Sequence, residues 1–133
     1  MNTKTSLALL FGGASPEHAI SIRSAKNIFE AIPRDIYQVT LIGISSEGQW
    51  FHIEDEFFFD KGASISSGKA LAMVPGSANP FIYIETTESG PSIDVVFPIT
   101  HGPNGEDGTL QGILRHLNLP FVGPDVLGSA IAM

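Results

Sequence analysis

The sequence predicts an α/β fold with a doubly wound, mainly parallel sheet and an added strand and hairpin region. Three observations carry that prediction. Ser6 to Phe11 is a continuous apolar run closed by Gly12-Gly13. Tyr37 to Ser45 ("YQVTLIGIS") is a second run rich in β-branched residues, and between the two lies an apolar stripe at helical spacing. A short apolar run bounded by glycines is the pattern of a strand buried on both faces of a parallel sheet.

The elements follow in chain order. Ser15 is placed to cap a helix, with Pro16 at its first position, where a missing N–H costs nothing. Ala25, Ile28, Phe29 and Ile32 then fall at i, i+3, i+4 and i+7, and the stripe ends before Pro33. Tyr37 to Ser45 completes a βαβ unit, for which a right-handed crossover is expected. From Ser46 to Ser92 the apolar pieces "QWFHI", "ALAMVP" and "FIYIE" are separated by Gly, Ser, Pro and Asn, and read as strands or hairpins decorating the sheet. Phe57 to Phe59, behind Glu54, Asp55 and Glu56, reads as a buried edge or an oligomer contact without chemistry. Asp94 to Thr100 ("DVVFPIT") is a further buried strand that runs into "HGPNGEDG". Beyond it Leu110, Ile113, Leu114 and Leu117 repeat the helical stripe, with Asp107 or Thr109 as N-cap. Phe121-Val122 reads as a last short strand, and Asp125 as the cap of a helix beginning at Val126. That helix shows no stop signal before Met133, which predicts a domain cut from a longer protein.

A chain of 133 residues, 43% hydrophobic and 16% charged, suits one well-buried domain. Its net charge of -7 argues against general attraction to nucleic acid or anionic membrane. With no cysteine there is no disulfide, thiolate nucleophile or thiolate metal site, and a cytoplasmic location fits best. The apolar run near the amino end is shorter than a signal-peptide core or a membrane span.

Two glycine loops leave strand ends where ligands of open parallel sheets bind. "GGASPEH" has neither the G-x-G-x-x-G of dinucleotide sites nor the G-K-[ST] of a P-loop, and Glu17 would repel an anion at the helix start. A carboxylate there suits the ammonium of an amino acid, whose own carboxylate the nearby backbone N–H groups can hold. The plainer reading is that Glu17 favours the helix dipole and His18 sits in solvent. In "HGPNGEDG", a neutral His101 contacting a ligand carboxyl competes with a tight turn whose acids cap the next helix. A metal site from His18, His101, Glu106 and Asp107 lacks any supporting spacing. A nucleophile elbow is absent, since no G-x-S-x-G occurs.

Together, "LLFGGASPEHAISIRSAKNI", "QVTLIGISSEGQW", "VVFPITHGPNGEDGTLQGILRHLNLPFVG" and "SAIAM" resemble the amino-terminal domain of the D-alanine:D-alanine ligase family of ATP-grasp enzymes. The resemblance covers almost the whole chain and is least characteristic over Ser46 to Pro91. It implies a Rossmann-like preATP-grasp domain that contributes the pocket for the first D-alanine. It further implies that Glu17 binds the substrate ammonium, that Ser21 and Ile20 lie beside the substrate, and that His101 with Gly102 lies near its carboxyl. Glu17, Ser21 and His101 would act by orientation and electrostatics. In the family, ATP phosphorylates one D-alanine and the amine of a second attacks the acyl phosphate, a step of peptidoglycan precursor synthesis. ATP and Mg²⁺ (or Mn²⁺) belong to central and carboxy-terminal domains, so residues 1–133 alone are expected to be inactive. The family also implies a homodimer. Ala19 departs from an often acidic position, which puts a supporting contact in question. The rival reading is a non-catalytic small-molecule-binding α/β domain, which would bind its ligand tightly by itself. A nicotinamide-dependent enzyme ranks behind both for want of the glycine fingerprint.

Overall fold

In a computed structural model, the residues described are 4–13, 18–55, 57–62, 64–99 and 109–121, with the backbone alone at 18–21, 109 and 111. Strand β1 (Thr5–Gly12) is buried from Leu7 onward because apolar groups meet both of its faces. Leu7, Leu9 and Phe11 point into one core cluster, while Ala8 and Leu10 point into another. That is the physical meaning of an unbroken apolar run in a strand whose side chains alternate.

Helix α1 (His18–Ala31) covers the first face with Ala25, Ile28 and Phe29, and Ile32 just beyond its end joins the same cluster. Pro33 blocks its continuation. Arg34 closes the end, its Nη1 donating to the Ile32 carbonyl at 2.7 Å and its guanidinium lying 4.4 Å from the Phe29 ring centre. Strand β2 (Tyr37–Ile44) then pairs parallel with β1. Strands β3 (Trp50–Ile53), β4 (Lys69–Met73) and β5 (Phe81–Tyr83) extend the sheet antiparallel. Strand β6 (Val95–Ile99) returns to pair parallel with the other side of β1. The six-stranded order is β5-β4-β3-β2-β1-β6. Helix α3 (Thr109–His116) covers the second face through Leu110 and Leu114, with Leu117 beside them.

The expected α/β, doubly wound architecture and its added hairpin region are therefore present, with β2, β1 and β6 as the parallel part. The three apolar pieces between Ser46 and Ser92 correspond to β3, β4 and β5. Two short elements between β3 and β4 carry no sequence periodicity, α2 (Phe58–Lys61) and a 3-10 turn at Ile65–Ser67. Gly43 in β2 lets that turn approach. A Cβ on it would lie 2.8 Å from Cγ2 of Ile65, so the turn packs directly on the strand backbone.

Phe58 is buried against Phe11, with ring centres 5.9 Å apart, whereas Phe57 remains 54% exposed. The aromatic triplet is thus an edge of the core at one position and surface at its neighbour. Thr109 is the first residue of α3. Phe121 bridges Val96 in parallel, as the start of a last strand would. Ser15, Pro16, Asp107, Val122, Asp125 and Val126 lie outside the described residues.

Candidate functional site

The sheet changes direction of winding between β1 and β6. From β1 the chain crosses one face through α1 to reach β2, and α3, which follows β6, packs on the opposite face. A doubly wound sheet opens a crevice at the carboxyl ends of the two strands where its winding reverses, and ligands bind there. Here those ends are adjacent and level, because Phe11 of β1 is in register with Ile99 of β6.

Backbone geometry marks the β1 side of this crevice. Gly12 and Gly13 have φ of +94° and +111°, values that L side chains rarely adopt, so the strand leaves the sheet in a turn that needs glycine twice. No atom lies within 4 Å of a Cβ placed on Gly13, so conformation and not space imposes that glycine. The Gly13 N–H donates to the Ile44 carbonyl at 2.8 Å, which fastens the turn to the end of β2. Next in the chain, Ser45 is buried. It donates its N–H to the Gln49 carbonyl at 2.8 Å and accepts the Gln49 N–H on Oγ at 3.1 Å, fixing the β2–β3 hairpin beside the glycine turn. Sequence reasoning missed this support, although "ISSEGQW" carries a turn signal of serines and a glycine just past a strand end.

The two loops read as substrate loops, "GGASPEH" at 12–18 and "HGPNGEDG" at 101–108, follow this pair of strand ends in the chain. Ile20 and Ser21 fall in the first turn of α1. Glu17, His101 and Gly102 lie outside the described residues, as do Glu106 and Asp107 of the metal reading. No group of three His, Asp or Glu is gathered for a metal ion among the described residues. Likewise, no helix there is long and apolar enough to cross a membrane.

Electrostatics concentrate at the other end of the sheet, on β3 to β5. His52 Nδ1 and the Tyr83 hydroxyl share a hydrogen bond of 2.8 Å, and Lys69 Nζ pairs with Glu54 Oε1 at 2.8 Å. Burial, together with the Lys69 charge, holds His52 below its ordinary pKa against an opposing pull from Glu54. The Lys69 hydrogen bond lowers the Glu54 carboxyl. These groups brace neighbouring strands, and none lies at the carboxyl ends of β1 and β6.

Comparisons with known proteins converge. Residues 6–124 match the family model described as D-ala D-ala ligase N-terminus. The D-alanine–D-alanine ligase of Sodalis glossinidius is 45% identical over 137 aligned positions, covering 98% of this chain and 37% of that protein. That of Shouchella clausii is 47% identical, with the same coverage of both. Among solved structures, a D-alanine–D-alanine ligase from Coxiella burnetii superposes with a TM-score of 0.79 at 37% identity, covering 91% of this chain and 35% of the other. The VanG D-Ala:D-Ser ligase from Enterococcus faecalis gives 0.78 at 32% identity, covering 90% and 36%. The chain thus spans little more than a third of the length of the relatives it matches.

Proposed function

Since the chain belongs to the D-alanine–D-alanine ligase family, matching its amino-terminal domain, we propose that it supplies the pocket for the first D-alanine in an ATP-dependent ligase of peptidoglycan precursor synthesis. The observation that carries this reading is the crevice between β1 and β6. It puts the ends that lead to Glu17 and to His101 on adjacent, level strands.

In this reading the Glu17 carboxylate holds the substrate ammonium and His101, beside Gly102, faces its carboxyl. Ile20 and Ser21, one turn into α1, flank the substrate. Their work is binding and orientation: a fixed ammonium turns the carboxylate toward the reacting partner and lowers the entropy lost on reaching it. ATP with Mg²⁺ supplies the phosphoryl group that activates the carboxylate. By the family resemblance both would be held by the remaining length of a full ligase, and residues 1–133 alone would turn over nothing. The same reading includes a homodimer working in the cytoplasm. Names among the relatives leave the second substrate open between D-alanine and D-serine.

The test is Glu17→Ala in the full-length enzyme. A charge-assisted hydrogen bond of about 1.5–3 kcal/mol is lost, so the apparent KM for the first D-alanine should rise roughly ten- to a hundredfold. An unchanged KM would remove Glu17 from the pocket.

A further inference from the structure

At the end of the sheet opposite the crevice, β3 stops short of its partner. Hydrogen bonds from Thr5 N–H to the Ile36 carbonyl and from Gly13 N–H to the Ile44 carbonyl fix which β2 residues face β1. They are the even-numbered ones. The odd-numbered residues face β3, as the Ser45 to Gln49 bond confirms. Leu41 opposite Ile53 is the last matched pair, and in continued register Val39 would meet Asp55. Instead the chain turns away there into α2, with Asp55 accepting Phe58 N–H on its carbonyl and Phe57 N–H on Oδ1. Val39 therefore aims its backbone N–H and C=O into a notch where β3 no longer runs.

This notch is part of an open cleft of about 450 Å³. Its lining differs on the two faces of the sheet. Phe29, Leu41 and Ile53 contribute apolar surface on the α1 side, and Gln38, Thr40 and His52 contribute polar groups on the other. Glu54 stands at its edge. It accepts from Lys69 on Oε1 at 2.8 Å, and a carboxylate has a second oxygen able to accept a further donor.

We propose that this cleft binds a short peptide with a free amino end, added as an extended strand to the edge of β2 at Val39, its ammonium facing Glu54. Main-chain bonds to Val39 supply register, and the alternating apolar and polar walls receive successive side chains, as in strand addition generally. The volume suits a di- or tripeptide. The site lies about 17 Å along β2 from the Ile44 end, given a strand rise of about 3.3 Å per residue, and is separate from the D-alanine crevice, on whose assignment it does not depend.

Titration of [¹⁵N]valine-labelled protein with trialanine tests it. The Val39 amide should shift saturably and its hydrogen exchange should slow. N-acetyl-trialanine should bind about tenfold more weakly, for loss of one charge-assisted contact, and Glu54→Gln should abolish that difference. The proposal is overturned by a Val39 amide that does not move, by equal affinity for the two peptides in the parent protein, or by a response to free D-alanine equal to that to trialanine. Since D-alanine is a separate arm of the titration, failure of the crevice reading would appear there and not at Val39.

Discussion

The two halves of the sheet solve different problems with different chemistry. Strands β2, β1 and β6 run parallel, and β1 at their centre is packed on both faces, so Leu7 to Phe11 are almost wholly inaccessible and hold no titratable group. Strands β3, β4 and β5 run antiparallel and carry His52, Glu54, Lys69 and Tyr83 in linked polar contacts. Charge density alone would place the working site in the second half. In the proposed reading topology puts it in the first, where two adjacent, level strand ends and a double-glycine turn border a crevice. A cluster of paired charges can be bracing, and an uncharged glycine turn at a strand end can border a binding crevice.

The largest effect that sharpens this contrast should come from Leu114→Ala. Its side chain is fully buried between α3 and the sheet, and its truncation should cost about 2–5 kcal/mol in chemical denaturation. A loss below about 1 kcal/mol would mean that α3 is not part of the parallel core. Gly13→Ala comes next. A Cβ there meets no atom but strains φ, so about 1–3 kcal/mol is expected, with D-alanine affinity of the full-length enzyme falling alongside. Unaltered affinity would break the link between this turn and the crevice.

The smallest effect lies in the antiparallel half. His52 titrates below its ordinary value because it is partly buried near Lys69. Folding therefore favours the neutral ring. The stability this contributes is complete above the ordinary histidine pKa and is lost as pH falls through it toward the folded value. Between about pH 7.5 and about pH 5.5, the urea midpoint of the parent should fall more than that of His52→Gln. Equal slopes would show that this histidine does not sense the fold.

Much of the parallel half was legible in the sequence, because double burial leaves an unbroken apolar run and α1 and α3 each leave a stripe. Ala25, Ile32, Leu110 and Leu114 are buried as their spacing required. The antiparallel half yielded its strand positions but not their pairing, which depends on contacts such as Gly43 beneath Ile65 that no local pattern encodes. The four residues of α2 are too few to show a period. Glu17 and His101 were singled out by loop chemistry, and the sequence placed them next to strand ends whose adjacency only the fold supplies. Ser45 and the open edge at Val39 were invisible, since both arise from how β2 meets its neighbours.

The most direct test of the central claim is phosphate release from ATP by the full-length protein, with D-alanine or L-alanine as the only amino acid. Release with D-alanine and none with L-alanine is the expected result, and a folded full-length protein that releases no phosphate with D-alanine would contradict it.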